Sequence, residues 1–233
     1  MEENIEQVKK KRQISPFATL SQKQKILTVI NYTICLLLSS VLISFAITIL
    51  ILDPTRDNLV TCICCGLCYL LPFVVQWIFR SRISPVLISI YLVFLTVAGF
   101  LGSCLGLNDV IPHFDKIQHF SWGYIACFAG LFLLCRSKDI DKLKPIMVII
   151  FFMGLSLATA SVWELIEFAG DSLLGQTAQG TPINGITPVG DSMWDILMHT
   201  CGTILFTIHF CVDKFTHKNL GITAAINDFK KDY

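Results

Sequence analysis

The chain has 233 residues, of which 54% are hydrophobic and 15% charged, with a formal net charge of +1. A water-soluble domain carries about 25% charged residues, so this composition excludes a soluble domain and no nucleic-acid partner is expected. What remains is a polytopic membrane protein, because apolar runs near 20 residues, each long enough to span a bilayer core, recur through the chain.

The first 25 residues hold six Lys/Arg and no apolar run, which predicts a basic cytoplasmic tail over residues 1–25. The first apolar segment, 26–52, is longer than a signal-peptide core and lacks a small-residue cleavage site, so it reads as a retained helix. A second span is predicted over 59–79, after the polar break DPTRDN, and a third over 84–107, after RSR. The fourth, 116–135, follows NDVIPHFD. The fifth, 146–170, follows RSKDIDKLK. The sixth, 191–211, follows the stretch SLLGQTAQGTPINGITPVG, which has no charged residue and no histidine. Such a long connection between two functional helices reads either as a lid or as an ordinary exposed loop. The expected fold is all-α: a six-transmembrane-helix bundle over residues 26–212, with residues 213–233 as a solvated C-terminal tail.

Ten cysteines are present, four of them in CICCGLC inside the second span. Cysteine is a small apolar residue that packs well between helices, and the run lacks the turn-like sequence of a zinc knuckle. Packing is the expected role.

Lys and Arg are divided 16 to 2 between alternating sides of the predicted spans. The positive-inside rule then places both termini in the cytoplasm, the N-in/C-in topology. Trp122, Trp163 and Trp194 fall near the outer interface and Trp77 near the inner one, as an aromatic belt requires. The expected location is the cell (inner or plasma) membrane, with the lipid bilayer as the first partner.

This orientation puts seven acidic and imidazole side chains on the outer side: Asp115 and His119 in HFDKIQHF, Glu164 and Glu167 in WELIEF, and Asp191, Asp195 and His199 in DSMWDILMH. A helix advances about 100° per residue, so each group forms one stripe on its helix. Ionisable groups at membrane depth are costly, and such stripes face the bundle interior. Carboxylate and imidazole are ligands for Zn, Mn or Fe. We therefore expect a divalent metal held among Asp115, His119, Glu167, Asp191, Asp195 and His199, with Glu164 as the catalytic general base. Local alternatives exist. Asp115, with Gln118 three residues on, also reads as a capping box, and Asp191 as an N-cap after a Gly/Pro loop. Lys116 either pairs with an acid of the cluster or reaches the interface. His113 and Asp171 read as loop and helix-end residues, and His209, near the cytoplasmic end, as packing.

The run Phe114-Asp115-Lys116-Ile117-Gln118-His119-Phe120, with Gly123 behind it, resembles the F-D-[KR]-x-x-H-F-x-x-G segment of the YjdF-like family of bacterial inner-membrane proteins. Glu164-Leu165-Ile166-Glu167 resembles that family's E-x-I-E segment, and Asp191-Ser192-Met193-Trp194-Asp195, followed by Gly202, its D-x-x-W-D…G segment. The order of the three motifs is the same. The family usually shows Gln and Met around the last tryptophan, where this chain has Met193 and Ile196. A more distant similarity is to VanZ-like membrane proteins. The resemblance implies a membrane fold and a shared site and brings no settled activity with it.

Three functions are compatible with these residues: a metal-dependent membrane hydrolase or transferase acting on a lipid or envelope precursor, a cation-binding or transport protein, and a structural or partner protein whose polar cluster ties helices together. The cytoplasmic halves of the site-bearing spans contain no acidic residue, which weighs against a continuous proton or ion path.

Overall fold

The computed structural model describes residues 20–52, 59–136, 140–175, 177–179, 187–216 and 218–230. Most of the expected basic tail, the DPTRDN break and part of the 172–190 stretch lie outside the described residues. Among those described, all regular structure is helical, as an apolar chain in lipid requires, since a helix satisfies its own backbone groups. Among the described residues five helices are long and apolar enough to cross a membrane alone, and six spans result if one bent pair counts as a single crossing.

Helix α1 (Gln22–Leu52) opens on a reciprocal cap. The Gln24 amide donates to Ser21 Oγ at 3.3 Å and the Ser21 amide to Gln24 Oε1 at 3.1 Å. The expected span 59–79 divides into α2 (Leu59–Cys68) and α3 (Leu71–Phe79), bent by 43°. Pro72 explains the break: it lacks an N–H and its ring crowds the carbonyl four residues back. That carbonyl, Cys68 O, accepts instead from Tyr91 Oη at 2.7 Å. Helix α4 (Pro85–Leu95) widens into a π-helical continuation, Thr96–Cys104, and Tyr69 Oη and Thr96 Oγ1 lie 3.0 Å apart at the junction. A short α5 (Leu107–Val110) leads to α6 (Phe114–Arg136), α7 (Pro145–Leu174) and α8 (Pro188–Thr216).

The segment after α8, expected to be solvated, folds back as α9 (Ile222–Phe229). Ile222 and Phe229 are buried against α6 to α8. Buried Asp213 accepts the Ile222 and Thr223 amides at 3.1 and 3.2 Å. A short amphipathic helix with a carboxylate anchor was not visible as an apolar run.

Two hydrophobic cores divide the molecule. One, built on α1, α2 and α4, includes Cys35, Leu42, Cys62, Cys65, Tyr69 and Leu92. The other, built on α6 to α9, centres on Leu131, Phe132, Phe152, Phe206, Phe210 and Phe229. Cys62 and Cys65 of the CICCGLC run thus fill the first core, and all ten cysteines are thiols. The second lobe is held by an unusually close crossing of α6 and α8. A Cβ on Gly123 would collide with His199 O, and one on Gly202 with Phe120 O. Glycine on both helices lets the backbones touch, the usual route to tight helix pairing in membranes.

Candidate functional site

The Gly123–Gly202 crossing sets the position of the ionisable side chains. His119 precedes Gly123 by one helical turn and Asp195 precedes Gly202 by two, so both face the seam between α6 and α8, with α7 alongside. At this point Lys116 Nζ donates to Asp115 Oδ2 at 2.8 Å, Asp191 Oδ1 at 2.6 Å and Asp195 Oδ2 at 2.9 Å. Its ammonium therefore fills the centre of the Asp115, Asp191 and Asp195 carboxylates, whose oxygens lie within 4.8 Å of one another.

A second group adjoins the first through the other oxygen of Asp195. Asp195 Oδ1 lies 3.6 Å from His119 Nε2, and Glu164 Oε1 lies 3.8 Å from the same nitrogen. Both distances exceed a hydrogen bond of ordinary geometry. Glu164 Oε1, Glu164 Oε2 and Asp195 Oδ1 are buried and make no hydrogen bond, although Glu164 is only 7% and Asp195 3% exposed. A buried carboxylate oxygen left unpaired is costly, so this group is the least satisfied place in the second lobe.

The remaining expected ligands are placed elsewhere. His199 is fully buried and turns toward α7: its Nε2 lies 2.9 Å from Ser156 Oγ, which also reaches Thr203 Oγ1 at 2.9 Å and Gly123 O at 3.1 Å. His199 Nδ1 has no hydrogen-bond partner. Glu167 accepts from Trp163 Nε1 at 2.9 Å and lines the cavity described below. Of the residues expected to hold a metal, the structure gathers His119 and Asp195 with Glu164, groups Asp115 and Asp191 around Lys116, and leaves Glu167 and His199 outside both sets.

Neither capping reading applies. Asp115 is the second residue of α6 and its carboxylate engages Lys116, while Gln118 Nε2 donates to Asn108 Oδ1 at 2.7 Å. Asp191 lies inside α8, where Thr187 Oγ1 accepts the Gly190 amide at 3.1 Å and takes the cap role. Asp171 accepts the amides of Ala178 and Gln179 at 2.7 and 2.9 Å, tying the chain after α7 back to that helix. His209 meets Tyr124 Oη at 2.6 Å, away from the cluster.

A cavity of about 990 Å³ lies between the two lobes. Asp115, His119, Glu167, Asp191 and Asp195 line one end of it, while Tyr91, Phe94, Trp122 and Leu155 line its apolar depth. Trp122 stacks on Phe94 with centroids 5.0 Å apart and donates to Thr159 Oγ1 at 3.0 Å. The α4 aromatics were not singled out as site residues, because an apolar wall looks like any other apolar span. Ser156 carried a fainter signal: it lies eight residues before Glu164, on the same face of α7.

A membrane bundle with a buried acid and imidazole centre beside a largely apolar cavity is the class this structure defines. The chain belongs to the family described as "Predicted membrane protein (DUF2238)", whose match spans residues 34–217. No curated protein and no solved structure matches it.

Proposed function

We propose that this protein is a metal-dependent membrane enzyme, with one divalent ion (Zn, Mn or Fe) held by His119, Glu164 and Asp195, that hydrolyses or transfers a group on a lipid or envelope precursor. The single observation that supports it is the pair of unpartnered buried oxygens Glu164 Oε1 and Asp195 Oδ1, each within 4 Å of His119 Nε2. Metal–ligand distances of about 2.0–2.2 Å put tetrahedral donor atoms about 3.3–3.6 Å apart, close to the observed 3.6 and 3.8 Å. Three protein ligands with one side open to a cavity is the arrangement of catalytic sites. An ion held by these three residues would supply an activated water near neutral pH.

The protein's own groups then divide the work. Lys116 holds Asp195 through Oδ2 and leaves Oδ1 turned toward His119. Asp115 and Asp191 balance that ammonium and fix its place. Glu167, which lines the cavity, would serve as the base toward an attacking water, the role expected at first for Glu164. His199 acts on the fold, joining α7 to the α6–α8 crossing through Ser156. Unpaired oxygens on buried Glu164 favour a ligand role over a network that only ties helices together. The Lys/Arg distribution supports a position for this centre on the extracytoplasmic side of the plasma membrane. Within its family, the FDKIQHF, ELIE and DSMWD segments support a YjdF-like membership.

Element analysis of the detergent-purified chain tests the reading. We expect one divalent ion per chain, bound at least about tenfold more weakly in Glu164→Gln and His119→Ala, and retained in His199→Ala preparations that remain monodisperse. A wild-type chain without metal, or full occupancy in Glu164→Gln, overturns it.

A further inference from the structure

We infer that the crevice between the lobes is a lipid-chain seat entered sideways from the bilayer between the α2–α3 bend and α7, holding the apolar chain of an amphiphile with its head at the His119–Glu164–Asp195 end. The identity of the polar end rests on the function proposed above; the chain seat stands on its own observations.

The first is the gradient of polarity along the cavity. Its lining on α7 runs from Leu155 to Glu167, which is about 18 Å at 1.5 Å per residue. Acids and His119 occupy one end, while Tyr91, Phe94, Trp122 and Leu155 wall the rest. The indole N–H groups of Trp122 and Trp163 are both taken, by Thr159 and Glu167, so these rings offer the ligand apolar surface. A cavity of about 990 Å³ is at the upper end for small-ligand sites. A small polar substrate would leave most of its walls uncovered.

The second observation is the mouth. Leu71 and Val162 line the cavity and are also 45% and 56% exposed, and Ala158 between the α7 turns is exposed as well. In a membrane-spanning chain, exposed apolar side chains at mid-helix face lipid. The opening between Leu71, at the α2–α3 bend, and Val162 of α7 is therefore a lateral one. Charge decides the head. Lys116 is saturated by three carboxylates and has no hydrogen to spare for an anion. An anionic head, such as a phosphate, reaches this acid-rich end only through a bound cation.

A lysophospholipid with a brominated acyl chain is a direct probe, read by quenching of Trp122 and Trp163 in a Trp77→Phe, Trp194→Phe background, since those two rings are 77% and 52% exposed. We expect saturable quenching, weakened at least tenfold by Ala158→Phe, which fills the crevice without adding an indole, and by Val162→Asp, which charges its mouth, with metal content and monodispersity unchanged. Brominated palmitate tests the head: tighter binding of the lysophospholipid only when Mn²⁺ is present supports the cation-bridged arrangement. Equal quenching in wild type and both crevice variants overturns the chain seat and leaves the metal reading intact. Saturable, Ala158-dependent quenching by a chain that binds no metal upholds the seat and overturns the metal reading.

Discussion

The two lobes are built from similarly apolar helices yet differ in what they can do. Across residues 22–52 and 59–104 the first lobe contains no Asp, Glu or His. Its buried polar contacts include neutral pairs: Asn31 Nδ2 donates to Pro85 O at 2.7 Å, Tyr32 Oη to Gln76 Oε1 at 2.7 Å, and Tyr91 to the carbonyl freed by Pro72. The second lobe carries every member of the acid and imidazole cluster, and all but one of the unpartnered buried side-chain atoms among the described residues, the exception being Ser81 Oγ. The lesson is a division of labour. One lobe supplies an apolar wall and the other a charged seam, and the cavity lies between them.

The largest expected break in this contrast is at the seam. Gly202→Val puts a side chain into the Phe120 and Tyr124 backbone, which cannot yield without parting α6 from α8. Overpacking of this kind costs about 3 kcal/mol or more. We expect the loss of monodisperse protein on gel filtration, whereas Gly154→Ala, whose added Cβ meets nothing within 4 Å, is recovered at wild-type yield. The next effect is electrostatic. Lys116→Met leaves Asp115, Asp191 and Asp195 facing one another, with Asp195 buried. Breaking a buried pair costs about 3–5 kcal/mol, and the partial exposure of Asp115 and Asp191 puts this case near 3 kcal/mol. A thermal melt should show the loss and Lys116→Met/Asp191→Asn should recover part of it; no recovery in the double variant would mean that the ammonium is not the partner of Asp191. The smallest effect belongs to the first lobe. Cys35→Ala removes one fully buried sulfur at a cost of about 1 kcal/mol, and metal content should not change. If that substitution alters metal binding, the division between wall and seam is wrong.

Much of the fold was legible beforehand because lipid leaves few choices: long apolar runs bounded by charged breaks become helices. The spans 26–52, 116–135, 146–170 and 191–211 differ from α1, α6, α7 and α8 only by a few residues at their ends. The second span was read as one helix because hydropathy is blind to Pro72, whose effect is steric. Helix α9 was missed because eight residues make no membrane-length run. At the site, periodicity showed that the acids and histidines form stripes, and the crossing that brings three of those stripes together depends on Gly123 and Gly202 meeting at one point.

By itself, the sequence determined that this is a multi-pass helical membrane protein with its costly side chains on α6, α7 and α8, because hydropathy and helical period are properties of the chain alone. Which atoms meet was decided only in three dimensions. Glu164 enters the His119 and Asp195 group while Glu167 does not, His199 turns to Ser156, and Lys116 settles among three aspartates. Residues three or four apart share a helix face, and the distances that separate a ligand set from an ion pair depend on the angle and depth at which one helix crosses another.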